Sequence, residues 1–105
     1  MHSASLPRTL TVSRVRVGEG SEDAYLAAIR ELAALAETRG WHLWVFRRRG
    51  DPRLFLECTE SRSAETQRAA AERPIDERRI EERLRAVATY EPGAWDLWEE
   101  VRSTD

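Results

Sequence analysis

Two histidines, His2 and His42, and one cysteine, Cys58, supply all the imidazole and thiol chemistry of this 105-residue chain. His42 could act as a general base near neutral pH, since an unperturbed imidazole titrates at about 6.5. It could equally be a strand histidine at an interface, hydrogen-bonded to Thr59 or to backbone. His42 and Glu57 offer two ligands, too few for a zinc site. Cys58 has no evident base near it and reads as a small core residue. Trp44 and Trp98 have flat faces that could stack on an aromatic ligand or pack at an interface. The run "RRRGDP" (47–52) could dock an anion or RNA, but only Arg53 extends it, so it reads as a solvated hairpin tip. There is no Gly-rich phosphate loop, CxxC pair, HExxH or nucleophile elbow.

The elements that would position these residues follow from periodicity. "TLTVSRVRV" (9–17) is β-branched with interleaved arginine, the pattern of a strand. "GEGS" breaks it, Ser21 suits an N-cap, and Glu22 and Asp23 suit the first turn of a helix. Tyr25, Ile29, Leu32 and Ala36 then recur at helical spacing, so this helix runs to about Arg39 and stops at Gly40. "WHLWVFRRR" and "RLFLECTE" form a hairpin around the turn "GDP". "SRSAETQRAAAER" (61–73) reads as a short helix. A second helical run begins at Pro74, carries Ile80, Leu84, Val87 and Ala88 on one side, and ends near Thr89 or Tyr90.

The terminal "AWDLWEEV" (94–101) fits helix or strand by local pattern. The order of the preceding elements decides for a strand, because strand–helix–strand–strand–helix asks for one more, and aromatics suit strands. The expected fold is therefore α+β: a ferredoxin-like βαββαβ domain over residues 9–102, with residues 1–8 as a flexible arm and the helices on one face of a four-stranded antiparallel sheet.

Bulk properties are those of one globular domain. Hydrophobic residues are 41% and charged residues 34% of the chain. No apolar stretch approaches the roughly 20 residues of a membrane span, and the opening "MHSASLPRTL" lacks a signal peptide's apolar segment. With one cysteine, a cytoplasmic setting is expected. A net charge of −2 argues against nucleic acid as a partner. All 17 basic residues are arginine, which favours planar, permanently charged ion pairs.

Side chains alternate across a sheet. A four-residue hairpin loop (49–52) would set Arg48 opposite Arg53 and Trp44 opposite Glu57. One face then gathers Leu43, Val45, Leu54, Leu56, Cys58, Val15, Val17, Trp95 and Leu97, and belongs under the helices. The other gathers Arg14, Arg16, His42, Trp44, Phe46, Phe55, Glu57, Thr59 and Trp98. It mixes aromatics with charges and has no element of this chain to cover it. A second copy, packed sheet to sheet, is the economical cover, with Arg14 or Arg16 paired to Glu57.

"VSRVRVGEGSEDAYLAAIRELAALAETRG", then "LWVFRRRGDPRLFLECTESRSAE", then a helix and a short aromatic strand, resembles the antibiotic biosynthesis monooxygenase-like group of dimeric α/β-barrel proteins. The resemblance spans about residues 10–101. It implies a homodimer and, for many members, cofactor-free oxygenation of polycyclic phenols or quinols. The chain departs from the haem-degrading members, which carry Asn where Ser13 stands and a Trp and a haem-ligating His in the second helical region. It also has Thr59 where many members have Trp.

The resemblance places a substrate pocket between sheet and helices. Ser13, Tyr25 and Cys58, with Tyr90 beside them, are the polar groups expected there, with Arg30 or Arg68 at the rim. Ser13, Tyr25 and His42 are the expected catalytic residues, and Trp44, Trp98, Arg14, Glu57 and Cys58 the expected ligand-binding ones. No cofactor and no metal are expected. The ligand class is a small aromatic compound. The alternative is a non-catalytic dimeric binding or regulatory module. A helix-side cavity of about 300 Å³ or more would favour the enzyme, and a solid core the module.

Overall fold

The computed structural model describes residues 8–61 and 74–101. Its elements are β1 (Thr9–Val17), α1 (Glu22–Thr38), β2 (His42–Arg47), β3 (Leu54–Ser61), α2 (Ile75–Val87), β4 (Ala88–Tyr90) and β5 (Leu97–Glu99). The helix expected over 61–73, and with it Arg68, lies outside the described residues, save that Ser61 ends β3. Residues 1–7 of the expected arm lie outside them too. Arg8 accepts a bond at its carbonyl from the Glu100 N–H at 2.8 Å and so extends the pairing of β1 with the end of the chain.

The sheet is antiparallel with strand order β2-β3-β1-β4, and β5 also pairs with β1. This is the ferredoxin-like α+β arrangement that the element order implies. Helix α1 begins at its acidic first turn and ends at Gly40, whose φ of +81° only glycine adopts without strain. Ser21 occupies the N-cap position, but its side chain makes no capping bond. Tyr25, Ala28, Ile29 and Leu32 of α1 and Ile80 and Leu84 of α2 pack on Val15, Val17, Leu43 and Phe55 of the sheet. Arg39, just past α1, holds the start of α2 through Asp76 at 2.7 Å and through the buried Glu77.

Two expectations are corrected. The last helix stops at Val87, and residues 88–90 are already a strand paired with Val15–Val17. The final strand is thus split: β4, then a turn over 91–96, then β5 opposite Thr9–Thr11. Pro92 cannot donate to a ladder and Gly93 sits at φ +83°, so pairing breaks there. Trp95 lies in this turn rather than in the strand.

The second correction reverses β3. The Arg48 N–H bonds the Leu54 carbonyl at 2.9 Å, so the hairpin loop is one residue longer than expected. Asp51 accounts for the extra residue: its carboxylate accepts the Arg53 N–H at 3.2 Å, and its carbonyl accepts the Leu54 N–H at 3.3 Å. A one-residue change moves every side chain of a strand to the opposite face. Trp44 therefore pairs with Cys58, and Val45 with Glu57. Phe55, Glu57 and Thr59 face the helices; Leu54, Leu56 and Cys58 face away.

Candidate functional site

The reversed strand puts a carboxylate where an aliphatic residue was expected. Glu57 lies between Val45 and Ser13 in the sheet and is 7% exposed. A lone buried carboxylate costs several kcal/mol, so it must be hydrogen-bonded or protonated. Two tyrosines meet the need. The Tyr25 hydroxyl, from the first turns of α1, donates to Glu57 Oε2 at 2.6 Å. The Tyr90 hydroxyl, from β4, donates to the same oxygen at 2.8 Å. Tyr25 is fully buried, with its ring 4.7 Å from that of Phe55. Each donor is placed by an element: Tyr25 by the helical stripe, and Tyr90 because β4 pairs it with Val15 on the helix side.

The electrostatics follow from burial. Desolvation raises the Glu57 pKa above the usual carboxylate range, and the two tyrosine bonds only partly offset it. Burial, and then the Glu57 charge, push Tyr25 and Tyr90 well above the ordinary phenol value. Both remain hydrogen-bond donors at any physiological pH. Glu57 is a carboxylate with raised proton affinity. Its second oxygen, Oε1, accepts no hydrogen bond from the described residues.

Glu57 also lines a cavity of about 30 Å³ between sheet and helices, together with Leu32, Trp41, Leu43, Tyr90 and Trp95. That is room for a water molecule. The Trp95 ring stacks on the Tyr90 ring at 5.5 Å and 23°, and Trp95 is itself 58% exposed. The turn over 91–96 thus borders the cavity. Its Ala94 is buried, and the buried Ser13 hydroxyl donates to the Ala94 carbonyl at 2.6 Å.

Of the expected catalytic residues, Ser13 and Tyr25 come together around Glu57. The Ser13 hydroxyl is committed to the turn, which makes it a positioning group. His42 is on the opposite face of the sheet, with its Nδ1 3.6 Å from Glu37 and its ring 4.3 Å from that of Trp44. Of the expected ligand-binding residues, Trp44, Cys58, Arg14 and Trp98 share that opposite face, and Glu57 does not. The expected pairing of Glu57 with Arg14 or Arg16 is replaced: Arg14 pairs with Glu91 at 3.3 Å and Arg16 with Asp51 at 2.8 Å. Burial raises the Cys58 pKa, with a smaller push from the Glu57 charge, which disfavours a thiolate. Tyr90, expected beside the pocket's polar groups, is at Glu57, and Trp95 stands outside the expected site set. The signal for the helix-side placement of Glu57 was the Asp51 turn, which sets the parity of β3. Among the described residues no cluster of His, Cys, Asp and Glu could hold a metal, and no helix is long and apolar enough to cross a membrane.

Neither a protein-family model nor a curated protein sequence matches the chain. Solved structures do. A cofactor-independent oxygenase from Streptomyces nogalater, SnoaB, superimposes with a TM-score of 0.73 at 17% identity, over 91% of this chain and 93% of its own. A Nitrosomonas europaea protein described as a candidate antibiotic biosynthesis monooxygenase gives 0.75 at 11% identity, over 100% of both chains. A Bacteroides thetaiotaomicron protein of unknown function gives 0.69 at 22% identity, over 91% and 97%. The chain has the antibiotic biosynthesis monooxygenase-like fold. At such identities the likeness speaks for backbone arrangement and is silent on substrate.

Proposed function

We propose that the chain binds a small aromatic phenol or quinol beside Glu57 and promotes its oxidation by dioxygen without a cofactor. The observation that carries this reading is the buried Glu57 carboxylate, with one oxygen held by two phenols and the other, which accepts no bond from the described residues, beside a cavity. In the reaction, Glu57 Oε1 takes the substrate hydroxyl proton. Tyr25 and Tyr90 stabilise the Glu57 anion beforehand and fix its orientation. The resulting phenolate is electron-rich enough to pass an electron to dioxygen. The likeness to a protein named as a cofactor-independent oxygenase supports the same class of chemistry.

A ligand of one or two rings needs about 300 Å³ or more, ten times the room that the described residues enclose beside Glu57. Substrate entry therefore requires the 91–96 turn and the Trp95 ring to move off Tyr90. The same tightness favours the second reading, a non-catalytic dimeric module. Either way, we assign the outer sheet face to a second copy. Trp44, Phe46 and Trp98 are 38%, 56% and 59% exposed there in a single chain, a patch that calls for cover.

The experiment is anaerobic mixing of the protein with a panel of hydroquinones and naphthalenediols, then oxygen, followed with an oxygen electrode. Turnover above buffer, lost in Glu57→Gln, is expected. Equal oxygen uptake with and without protein would end the oxygenase reading and leave the module.

A further inference from the structure

The chain has two tyrosines and four tryptophans. Both tyrosines donate to Glu57 Oε2, Tyr25 at 2.6 Å and Tyr90 at 2.8 Å. Trp95 joins this cluster to solvent. Its ring lies 5.5 Å from that of Tyr90 at an interplanar angle of 23°, a stacked pair, and the residue is 58% exposed. The backbone fixes both members of the pair. Strand β4 sets Tyr90 opposite Val15, and the Ser13 hydroxyl holds the turn at Ala94, next to Trp95. A continuous line thus runs from solvent through two stacked rings and one hydrogen bond to a buried base. Trp44, on the outer sheet face, meets His42 instead of a tyrosine.

We propose that Trp95, Tyr90 and Glu57 form a proton-coupled electron relay through which the chain discharges strong one-electron oxidants, such as organic peroxyl radicals. The oxidant takes one electron from the exposed Trp95 indole and is reduced to the peroxide anion, which water protonates. Trp95, now a radical cation, takes an electron from the Tyr90 ring across the stack. In the same step the Tyr90 phenolic proton moves along its 2.8 Å bond to Glu57 Oε2. Trp95 is restored, Tyr90 becomes a neutral phenoxyl radical and Glu57 a carboxylic acid. In total, one electron leaves the protein and one proton changes owner within it. Burial explains why the carboxylate is needed. A phenol that lost an electron alone would become a cation in a site shut off from most water, which is costly. Passing the proton to Glu57 avoids that cation and also cancels the buried negative charge. Oxidation then removes a charge from the interior instead of adding one. Oε2 still accepts from Tyr25 while it donates its new proton back toward the Tyr90 oxygen. The relay uses the geometry around Glu57 but not oxygenase turnover, and it needs no bound substrate.

The test is pulse radiolysis of the full chain, without oxygen or substrate, using the azide radical, which attacks indole before phenol at neutral pH. The indolyl band is expected to decay as the phenoxyl band grows. This phase is first-order, and its rate does not change with protein concentration. Both tyrosines sit at Glu57, so the phenoxyl signal reports this cluster. Trp95→Phe, at an exposed turn position that folding tolerates, abolishes the phase, and Tyr90→Phe does the same. Glu57→Gln keeps the shape but not the base and slows the phase about tenfold or more, as the lost charge-assisted bond to the moving proton implies. Deuterium oxide slows it in the wild type. The proposal is overturned by indolyl decay without phenoxyl growth, or by a rate that rises with protein concentration. It is also overturned by an unchanged phase in Trp95→Phe, by an unchanged rate in Glu57→Gln, or by equal rates in light and heavy water. With no oxygen or phenol present, these outcomes are separate from the oxygenase assay: a protein without turnover that keeps the first-order phase retains the relay.

Discussion

Replacing Tyr25 with Phe removes one oxygen atom and tests whether Glu57 is held as the structure shows. The ring and its contact with Phe55 remain, so no cavity larger than a hydroxyl appears. The lost donor made a 2.6 Å bond to Glu57 Oε2, and Tyr25 is 0% exposed, so water does not readily take its place. A hydrogen bond to a charged group contributes about 1.5–3 kcal/mol, and a neutral one about 0.5–1.5. The Tyr90 hydroxyl still donates at 2.8 Å, which keeps the carboxylate from being wholly orphaned. The expected loss is therefore about 2 kcal/mol at pH 8, or roughly 8 °C or more in melting temperature for a domain of this size. In a Glu57→Gln background the same change meets an uncharged acceptor and costs about 1 kcal/mol. The difference, about 1 kcal/mol, is the coupling energy between the two residues. Urea unfolding of the four proteins in the cycle measures it. A Tyr25→Phe cost below about 0.5 kcal/mol, or one that is identical in both backgrounds, refutes the charged cluster.

Stability should also report Glu57 through pH. Burial raises its pKa in the folded chain above the ordinary value of about 4.3. Between those two values the folded chain keeps a proton that the unfolded chain has released, so this group's contribution to stability falls as pH rises and then levels off. Glu57→Gln lacks that slope, and its urea midpoint should gain on the wild type as pH climbs from about 4.3. Asp51 and Asp76, held low by Arg16 and Arg39, slope the other way in both proteins and cancel in the difference; parallel curves would show that Glu57 is not desolvated. Ser13→Ala removes the 2.6 Å bond to the Ala94 carbonyl, at about 1–2 kcal/mol, and should speed amide exchange of Ala94 and Asp96, whose N–H groups bond within the turn; unchanged protection would mean the turn holds itself. Trp44→Glu should yield monomer or aggregate in light scattering, and an unaltered dimer would place the interface elsewhere.

Element order was legible because it rests on strong local signals. Helical spacing of Tyr25, Ile29 and Leu32 marks α1, and β-branched residues mark β1. The choice of strand for the terminal tryptophans needed the whole order of elements, and Leu97–Glu99 does pair with β1. The break at Pro92-Gly93 was visible in the sequence, but its effect was not: it divides one strand into two and brings Trp95 over Tyr90.

The sequence by itself determined a ferredoxin-like α+β chain whose sheet has one face for helices and one that the described residues leave open, since periodicity and composition are properties of the chain alone. Only the tertiary structure decided which residues of β3 go to which face. That choice turns on one residue of loop length, set by the Asp51 side chain bonding to Arg53. Alternation then carries the decision along the whole strand. It buries Glu57 between two tyrosines that stand 32 and 33 residues from it in sequence, and it leaves Cys58 beside Trp44 on the far side.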